Sequence, residues 1–442
     1  MTWGQVAIWD VLRWLHPDTA SLNQVAVRPV PDGRSVPDAA DALRLLMLRH
    51  ESLRSTYTDT DGVLEQHVHR QARLDVPVHQ AGSAAEADLT AERLAAELGG
   101  HAFAVGEELP VRAAVVGHGG TAHAVVLVIA HMAVDGGSFR IVLRDFDALL
   151  RDGAAAELPP RAQQPLERRD FEESKAGLAR SGRTLSHWRR AVETGSRATL
   201  EHLPTPRDAD LAWASIDSRA LGTAVQRVSA RSGVGPSAVV LGSIGLLLAR
   251  LTGEDHPLLR SLTATRFKPH DQELVGAFNQ NALIRTDTSP GRFDDYLARV
   301  STATLSALRT CEADPRQVEA TVAEAARARG FTPGSYCFFN DIITGRGVTT
   351  APPGELPPDA DEIRAARADT ELRQLPYAGR QMDSKFFVFL HDVRPRCVLR
   401  LCKDRRFLPG VDAAGFLARL EDLLVLAATS ADPTLEELSH ER

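Results

Sequence analysis

The chain has 442 residues, of which 43% are hydrophobic and 25% charged, and its formal net charge is −7 at pH 7. That length exceeds one ordinary core and predicts two domains of about 150–250 residues each, while the acidic balance offers no electrostatic reason for a nucleic acid or an anionic membrane as partner. Cys311, Cys337, Cys397 and Cys402 are too few and too scattered for a disulfide scaffold, and no stretch reaches 18 uninterrupted apolar residues, so a soluble cytoplasmic protein is expected.

Residues 5–15 have the spacing of an amphipathic helix, followed by a strand over 22–30 and a longer helix from about Pro37. In that helix Leu43, Leu46, Met47, His50 and Leu53 share a face, and Arg49-His50-Glu51-Ser52-Leu53-Arg54 closes it. Strands over 55–58 and 63–68 flank Asp59-Thr60-Asp61-Gly62, a turn sequence that predicts a hairpin. A second hairpin joins 111–116 to 121–130 through Gly117-His118-Gly119-Gly120. The strand over 121–130 is apolar almost without interruption, as a strand covered on both faces reads.

His131 ends that strand within Ala130-His131-Met132-Ala133-Val134-Asp135-Gly136-Gly137-Ser138. Beyond it Phe139, Val142, Leu143, Phe146, Leu149 and Leu150 recur at helical spacing, with Ser138 the expected N-cap and Gly136-Gly137 the expected tight turn. His131 and Asp135 therefore fall on a strand-to-helix loop, where an oriented imidazole can take up a proton; a core histidine bonded to backbone satisfies the same pattern. The glycine pair argues against His131 and Asp135 sharing a helix face as metal ligands, and no further ligand cluster lies nearby, so no metal is expected.

From about Pro159 the chain turns polar and rich in Pro, Arg and Gln, which predicts the crossing between halves there. The second half opens with a strand over 213–216 and a helix over 220–232. A helix from Pro236 follows, whose Val239, Val240, Ile244, Leu247, Leu248 and Leu251 make it apolar nearly all round, hence buried. Strands over 334–340, 386–390 and 397–402 complete a second sheet, and the acidic, proline-rich run 349–369 reads as a long connection.

His131-x-x-x-Asp135-Gly136 resembles the active-site motif of the condensation domains of nonribosomal peptide synthetases and of chloramphenicol acetyltransferase-like acyltransferases. Further segments follow in that family's order. Arg49 to Arg54 resembles its RHExLR helix end, and Val275-Gly276-Ala277-Phe278-Asn279-Gln280-Asn281-Ala282-Leu283-Ile284-Arg285 resembles its VGxFxNxxxxR segment. Phe338-Phe339-Asn340 resembles a family strand, and Thr2-Trp3-Gly4-Gln5 with Trp9 its opening helix. Three departures stand out: Ala130 replaces the first of two adjacent histidines, Cys311-Glu312-Ala313-Asp314-Pro315 stands for an HQDxPF-like segment, and Ser261 for a common glycine.

The resemblance implies an α/β (α+β) fold of two chloramphenicol acetyltransferase-like lobes, 1–165 and 166–442, in a V-shaped pseudo-dimer with a central tunnel. It implies a free-standing monomer that condenses a thioester, carried on the 4'-phosphopantetheine of an acyl or peptidyl carrier protein met in trans, with a small amine or alcohol acceptor, binding no cofactor of its own. His131 and Gly136 would be catalytic, His131 as proton acceptor or orienting group and Gly136 through its N–H. Asp135 would pair with an arginine of the other lobe, Arg285 ahead of Arg266. Ser138 and Asn281 would line the tunnel, and His50 would serve packing and hydrogen bonding. A coenzyme A-dependent acyltransferase and a non-catalytic docking module are the alternatives.

Overall fold

The computed structural model describes residues 1–161, 163–204, 207, 210–343 and 359–439. They form two compact units, Met1–Ala179 with Ala264–Gln280, and Arg180–Thr263 with Asn281–Arg442. The division therefore does not fall at residue 165. The polar run that predicted a boundary there folds into the first unit, where Gln164 accepts from the Glu51 N–H at 3.0 Å; in the helix that follows it, Glu172 accepts from the Trp3 N–H at 2.7 Å.

In the first unit α1 (Trp3–Leu15) begins at a capping box, Thr2 accepting from the Gln5 N–H while Gln5 Oε1 accepts from the Thr2 N–H. β1 (Gln24–Pro29) and α2 (Val36–Arg49) follow, then the hairpin β2 (Ser55–Thr60) and β3 (Val63–Val68). Its turn places Asp61 and Gly62 at φ of 53° and 86°, the left-handed geometry that the Asp-Gly pair supplies most readily. Next come β4 (Val78–Ala81), α3 (Ala84–Gly99), β5 (Val111–His118), β6 (Thr121–Ile129), α4 (Gly136–Asp152) and α5 (Pro165–Glu173).

The sheet order is β1-β6-β5-β4, so the apolar strand β6 sits inside, paired antiparallel with β1 and β5. Val125, Leu127 and Ile129 point to one face, into a core with Leu43 and Leu46 of α2 and Val142 and Phe146 of α4. Val126 and Val128 point to the other, against Ala87, Ala91 and Leu94 of α3. Burial on both faces is why the strand lacks polar alternation.

The second unit takes up most of α6 (Lys175–Thr194), then β7 (Leu211–Ser218), α7 (Arg219–Ser232), α8 (Pro236–Thr252) and β8 (Leu258–Thr263). After the segment that belongs to the first unit come β9 (Gln280–Arg285), α9 (Phe293–Arg309), α10 (Pro315–Ala328), β10 (Tyr336–Asp341), α11 (Ala360–Ala366), β11 (Glu371–Leu375), β12 (Ser384–Asp392), β13 (Cys397–Asp404) and α12 (Ala413–Thr429). Seven strands form one sheet in the order β11-β7-β13-β12-β10-β8-β9. Its core joins α8, buried from Val239 to Ala249, to Phe386, Val388 and Leu390 of β12 and to Phe416 and Leu420 of α12.

Part of the connection expected over 349–369 lies outside the described residues. Its described end contains α11, started by a capping box of Asp359 and Glu362 and anchored by the single buried apolar residue Ile363, too little periodicity to read as a helix. All four cysteines are free and buried. Among the described residues no single helix is long and apolar enough to cross a membrane; α7 and α8 pass such a test only together, across a 102° bend, and α8 is core.

Candidate active site

β6 delivers the chain to a tight turn in which the Ala130 N–H donates to Pro110 O and the Ala133 N–H to Ala130 O, both at 2.9 Å. Met132 is fully buried among Ile8, Tyr57 and Ala277, so the residue after His131 anchors the turn from beneath. His131 itself is half-buried, and its Nδ1 is buried with no hydrogen-bond partner.

Asp135, not Ser138, caps α4: its Oδ1 accepts from the Ser138 N–H at 2.7 Å and the helix begins at Gly136. The carboxylate is fully buried and takes donors on both oxygens. Arg266 Nη1 donates to Oδ2 at 2.9 Å, Nη2 stands 2.9 Å from Oδ1, and the Phe278 N–H donates to Oδ2 at 3.0 Å. Arg285 is not the partner. It stands at the end of β9 in the second unit, with its Nε donating to Thr194 O at 3.4 Å. Arg266 reaches Asp135 because Ala264–Gln280 folds with the first unit, so the ion pair lies within one unit and not between lobes.

Ser138 is likewise not a tunnel-lining side chain. It is fully buried; its hydroxyl donates to Gly276 O at 2.6 Å and accepts from the Gly276 N–H at 2.9 Å and from Arg266 Nη2 at 2.6 Å. With the Asp135 N–H donating to Gly276 O at 3.1 Å, residues 135–138 are fastened to residues 276–278 of the returning segment. Thr265, at φ of 51°, turns that segment, its hydroxyl donating to Phe278 O at 2.9 Å. Gly4 at the start of α1 packs so closely on the same segment that a Cβ would lie 2.4 Å from Ala277 O.

The glycine pair has a different use from the tight turn expected of it, since neither residue has a positive φ. Gly136 is exposed, and a Cβ there would meet nothing within 4 Å. A Cβ on Gly137 would lie 2.8 Å from Arg266 Nη1 and 3.2 Å from Asp135 Oδ1, so that glycine makes room for the ion pair. Both contribute N–H groups of the first turn of α4, which no carbonyl within the helix can reach and which carry the positive end of its dipole.

A second network is centred on Asp145, midway along α4. Asp145 is fully buried and accepts from Arg49 Nε at 2.8 Å and Arg144 Nη2 at 2.6 Å, with His50 Nε2 at 3.0 Å. Burial alone would raise its pKa, but these hydrogen bonds from His50, Arg144 and Arg49 win and hold it at about 2. This is what the Arg49-His50 helix end does: it pins α2 to α4. Burial lowers the His50 pKa, outweighing the attraction of Asp145, so the neutral ring is favoured in the fold. The unfolded chain therefore binds the proton first, and the contribution of His50 is complete above about pH 6.5 and lost as the pH falls below it. In denaturant titrations between pH 7 and 5, His50→Gln is expected to flatten the loss of stability seen in the parent; an unchanged slope would assign that loss elsewhere.

Asn281 is half-buried in β9 of the second unit and is not part of the constellation held within the first. Gln280 occupies the place of asparagine in the VGxFxNxxxxR pattern, while Phe338 and Phe339 of the other quoted segment are buried in β10. Among the described residues no group of three His, Cys, Asp or Glu side chains could hold a metal ion. What the site can offer chemically is one imidazole and a set of helix N-terminal N–H groups, both on a loop clamped by a buried ion pair.

A family model described as a condensation domain matches residues 8–327. The chain belongs to the condensation domain family. Among curated proteins it is 28% identical over 293 residues to chondramide synthase cmdD of Chondromyces crocatus, covering 62% of this chain and 7% of that protein. It is 28% identical over 323 residues to the phosphinothricin tripeptide synthetase PhsC of Streptomyces viridochromogenes, covering 70% of this chain and 29% of that one. The chain thus spans only a small part of the synthetases it matches. Among solved structures, SgcC5 of Streptomyces globisporus superposes with a TM-score of 0.65 at 21% identity over 92% of each chain. The X-domain from teicoplanin biosynthesis does so at 0.69 and 18% identity over 99% of this chain and 96% of that one. The fold is that of condensation domains.

Proposed function

We propose that this condensation-family chain transfers an acyl or aminoacyl group from a thioester on the phosphopantetheine arm of a carrier protein to a small amine or alcohol, giving an amide or an ester. The observation that carries the reading is the clamp of Asp135, Arg266 and Ser138 on residues 276–278. A buried ion pair is an expensive way to stabilise a fold, and hydrophobic residues of similar volume often serve as well. Here it fixes His131 and the first turn of α4 against each other. His131 acts at the reacting groups, and the open backbone at Gly136 lets a carbonyl approach the helix N-terminus, where charge develops as the nucleophile adds. The C–N or C–O bond forms and the C–S bond breaks without an enzyme-bound acyl group.

Contacts with a carrier supply binding and orientation that a bare thiol lacks, so the same acyl group is expected to move at least about tenfold faster from a loaded carrier than from coenzyme A. Mass spectrometry of paired reactions checks this, and equal or faster transfer from coenzyme A would replace the carrier with the free cofactor as donor. A docking role is the second reading, favoured by the similarity to an X-domain solved in complex with OxyB, at a TM-score of 0.67. No transfer from any loaded donor, together with tight association with a second enzyme, would support it over catalysis.

A further inference from the structure

We propose that the second unit binds an aromatic carboxylate on the open half of one face of its seven-stranded sheet, with the carboxylate on Arg400 and the ring against Phe389. Every residue of the site lies in the second unit, so its test does not depend on the reading of His131.

The register sets the residues of that face in rows across the strands. Phe338 of β10, Phe387 of β12, Cys402 of β13, Trp213 of β7 and Leu375 of β11 stand side by side, as do Asn340, Phe389, Arg400, Ser215 and Arg373 two residues away on each strand. The first row is closed: Phe338, Phe387 and Trp213 are buried in a core with Trp188 of α6 and Val322 of α10. The second is open, with Asn340, Phe389, Arg400 and Ser215 half-buried and Arg373 exposed.

The rings specify one half of the ligand. Phe338, Phe387 and Phe389 stack in turn, at 4.9 Å and 9° and then at 4.4 Å and 22°, and Phe389 is aligned with Trp213 as well, at 6.1 Å and 18°. Side chains stand roughly perpendicular to a sheet, so rings aligned in this way turn their edges outward where the row is open, at Phe389. A ring edge carries the positive side of the aromatic quadrupole, which attracts the face of a further ring or an anion and repels a cation.

Arg400 specifies the other half. Its guanidinium lies over the Trp213 ring, 5.4 Å from the ring centre. Stacking uses the flat face of the guanidinium, while its N–H groups point outward in the plane, the fork that grips a carboxylate through two parallel bonds. Neither row contains an acid. The acids one row further on are engaged, Asp392 by the Val393 and Arg394 N–H groups, Asp217 by Arg396 and Glu371 by Arg373. Ser215 stands beside Arg400 with a hydroxyl, and Phe389 stands beside it on the other strand, about 4.8 Å away across the sheet, so a carboxylate joined directly to a ring spans the step from cation to ring edge. An aliphatic acid matches the cation alone, and a neutral aromatic matches the rings alone.

The test is calorimetric titration of the full chain with benzoate, which is expected to bind with a Kd of about 1 mM or tighter. Benzamide, which lacks the charge, and acetate, which lacks the ring, are each expected to bind at least about tenfold more weakly. Arg400→Gln should weaken benzoate at least about tenfold, Arg400→Lys by a smaller factor because it keeps the charge and loses the fork, and Phe389→Leu by about 2- to 10-fold. Arg285→Gln makes the same change of charge at the end of β9 and should leave the affinity unchanged. Thermal melts without ligand separate lost binding from lost folding, and if Arg400→Gln melts early the Lys and Leu variants carry the comparison. Benzoate bound equally by the parent and by folded Arg400 variants, bound no better than acetate, or weakened equally in Arg285→Gln overturns the site, as does no binding to the parent by about 10 mM.

Discussion

Asp135→Ala is expected to cost about 3–5 kcal/mol of stability, because it strands the Arg266 guanidinium inside the first unit while also uncapping α4 and freeing the Phe278 N–H. Arg266→Ala is expected to cost a similar amount, since it leaves a fully buried carboxylate without its counter-charge and deprives the Ser138 hydroxyl of a donor. Removing both should recover part of the sum, as the two residues share one interaction. Arg285→Ala removes one long bond to a backbone carbonyl at a strand end and should change stability by no more than about 0.5 kcal/mol. Denaturant unfolding of the four proteins measures this directly. A large loss in Arg285→Ala with Arg266→Ala near the parent would return the ion pair to the residue that the family resemblance favoured.

The difference between those two arginines marks where sequence patterns stop. The path from β6 through His131 to α4 was legible because an uninterrupted apolar strand, a loop with charged residues and a helical repeat follow one another locally. The β2–β3 hairpin was legible from Asp61-Gly62, and the burial of α8 from apolar residues on every face. Arg266 was harder to choose because nothing in its spacing says that Ala264–Gln280 leaves the second unit's chain to fold with the first. Ser138 looked like a cap since serine at a helix start does cap, but Asp135 three residues earlier takes the role and frees the hydroxyl to hold Gly276, 138 residues away. Gly137 looked like a turn glycine, and only the packed position of Arg266 reveals that it exists to leave space. In each case the missing information is a long-range contact to which local propensity is blind.

His131→Ala is expected to slow acyl transfer by about 10²- to 10⁴-fold, the range for losing a proton-transfer group or an oxyanion donor, with little effect on unfolding, since no hydrogen bond of its side chain is lost. The most direct measurement is single-turnover mass spectrometry of a loaded carrier mixed with excess protein and an acceptor. Wild type should deplete the acyl-carrier species as product grows in step, and His131→Ala should leave that species almost untouched on the same timescale while melting at the parent's temperature. Depletion at equal rates in both proteins would take His131 out of the chemistry and contradict the account of this site.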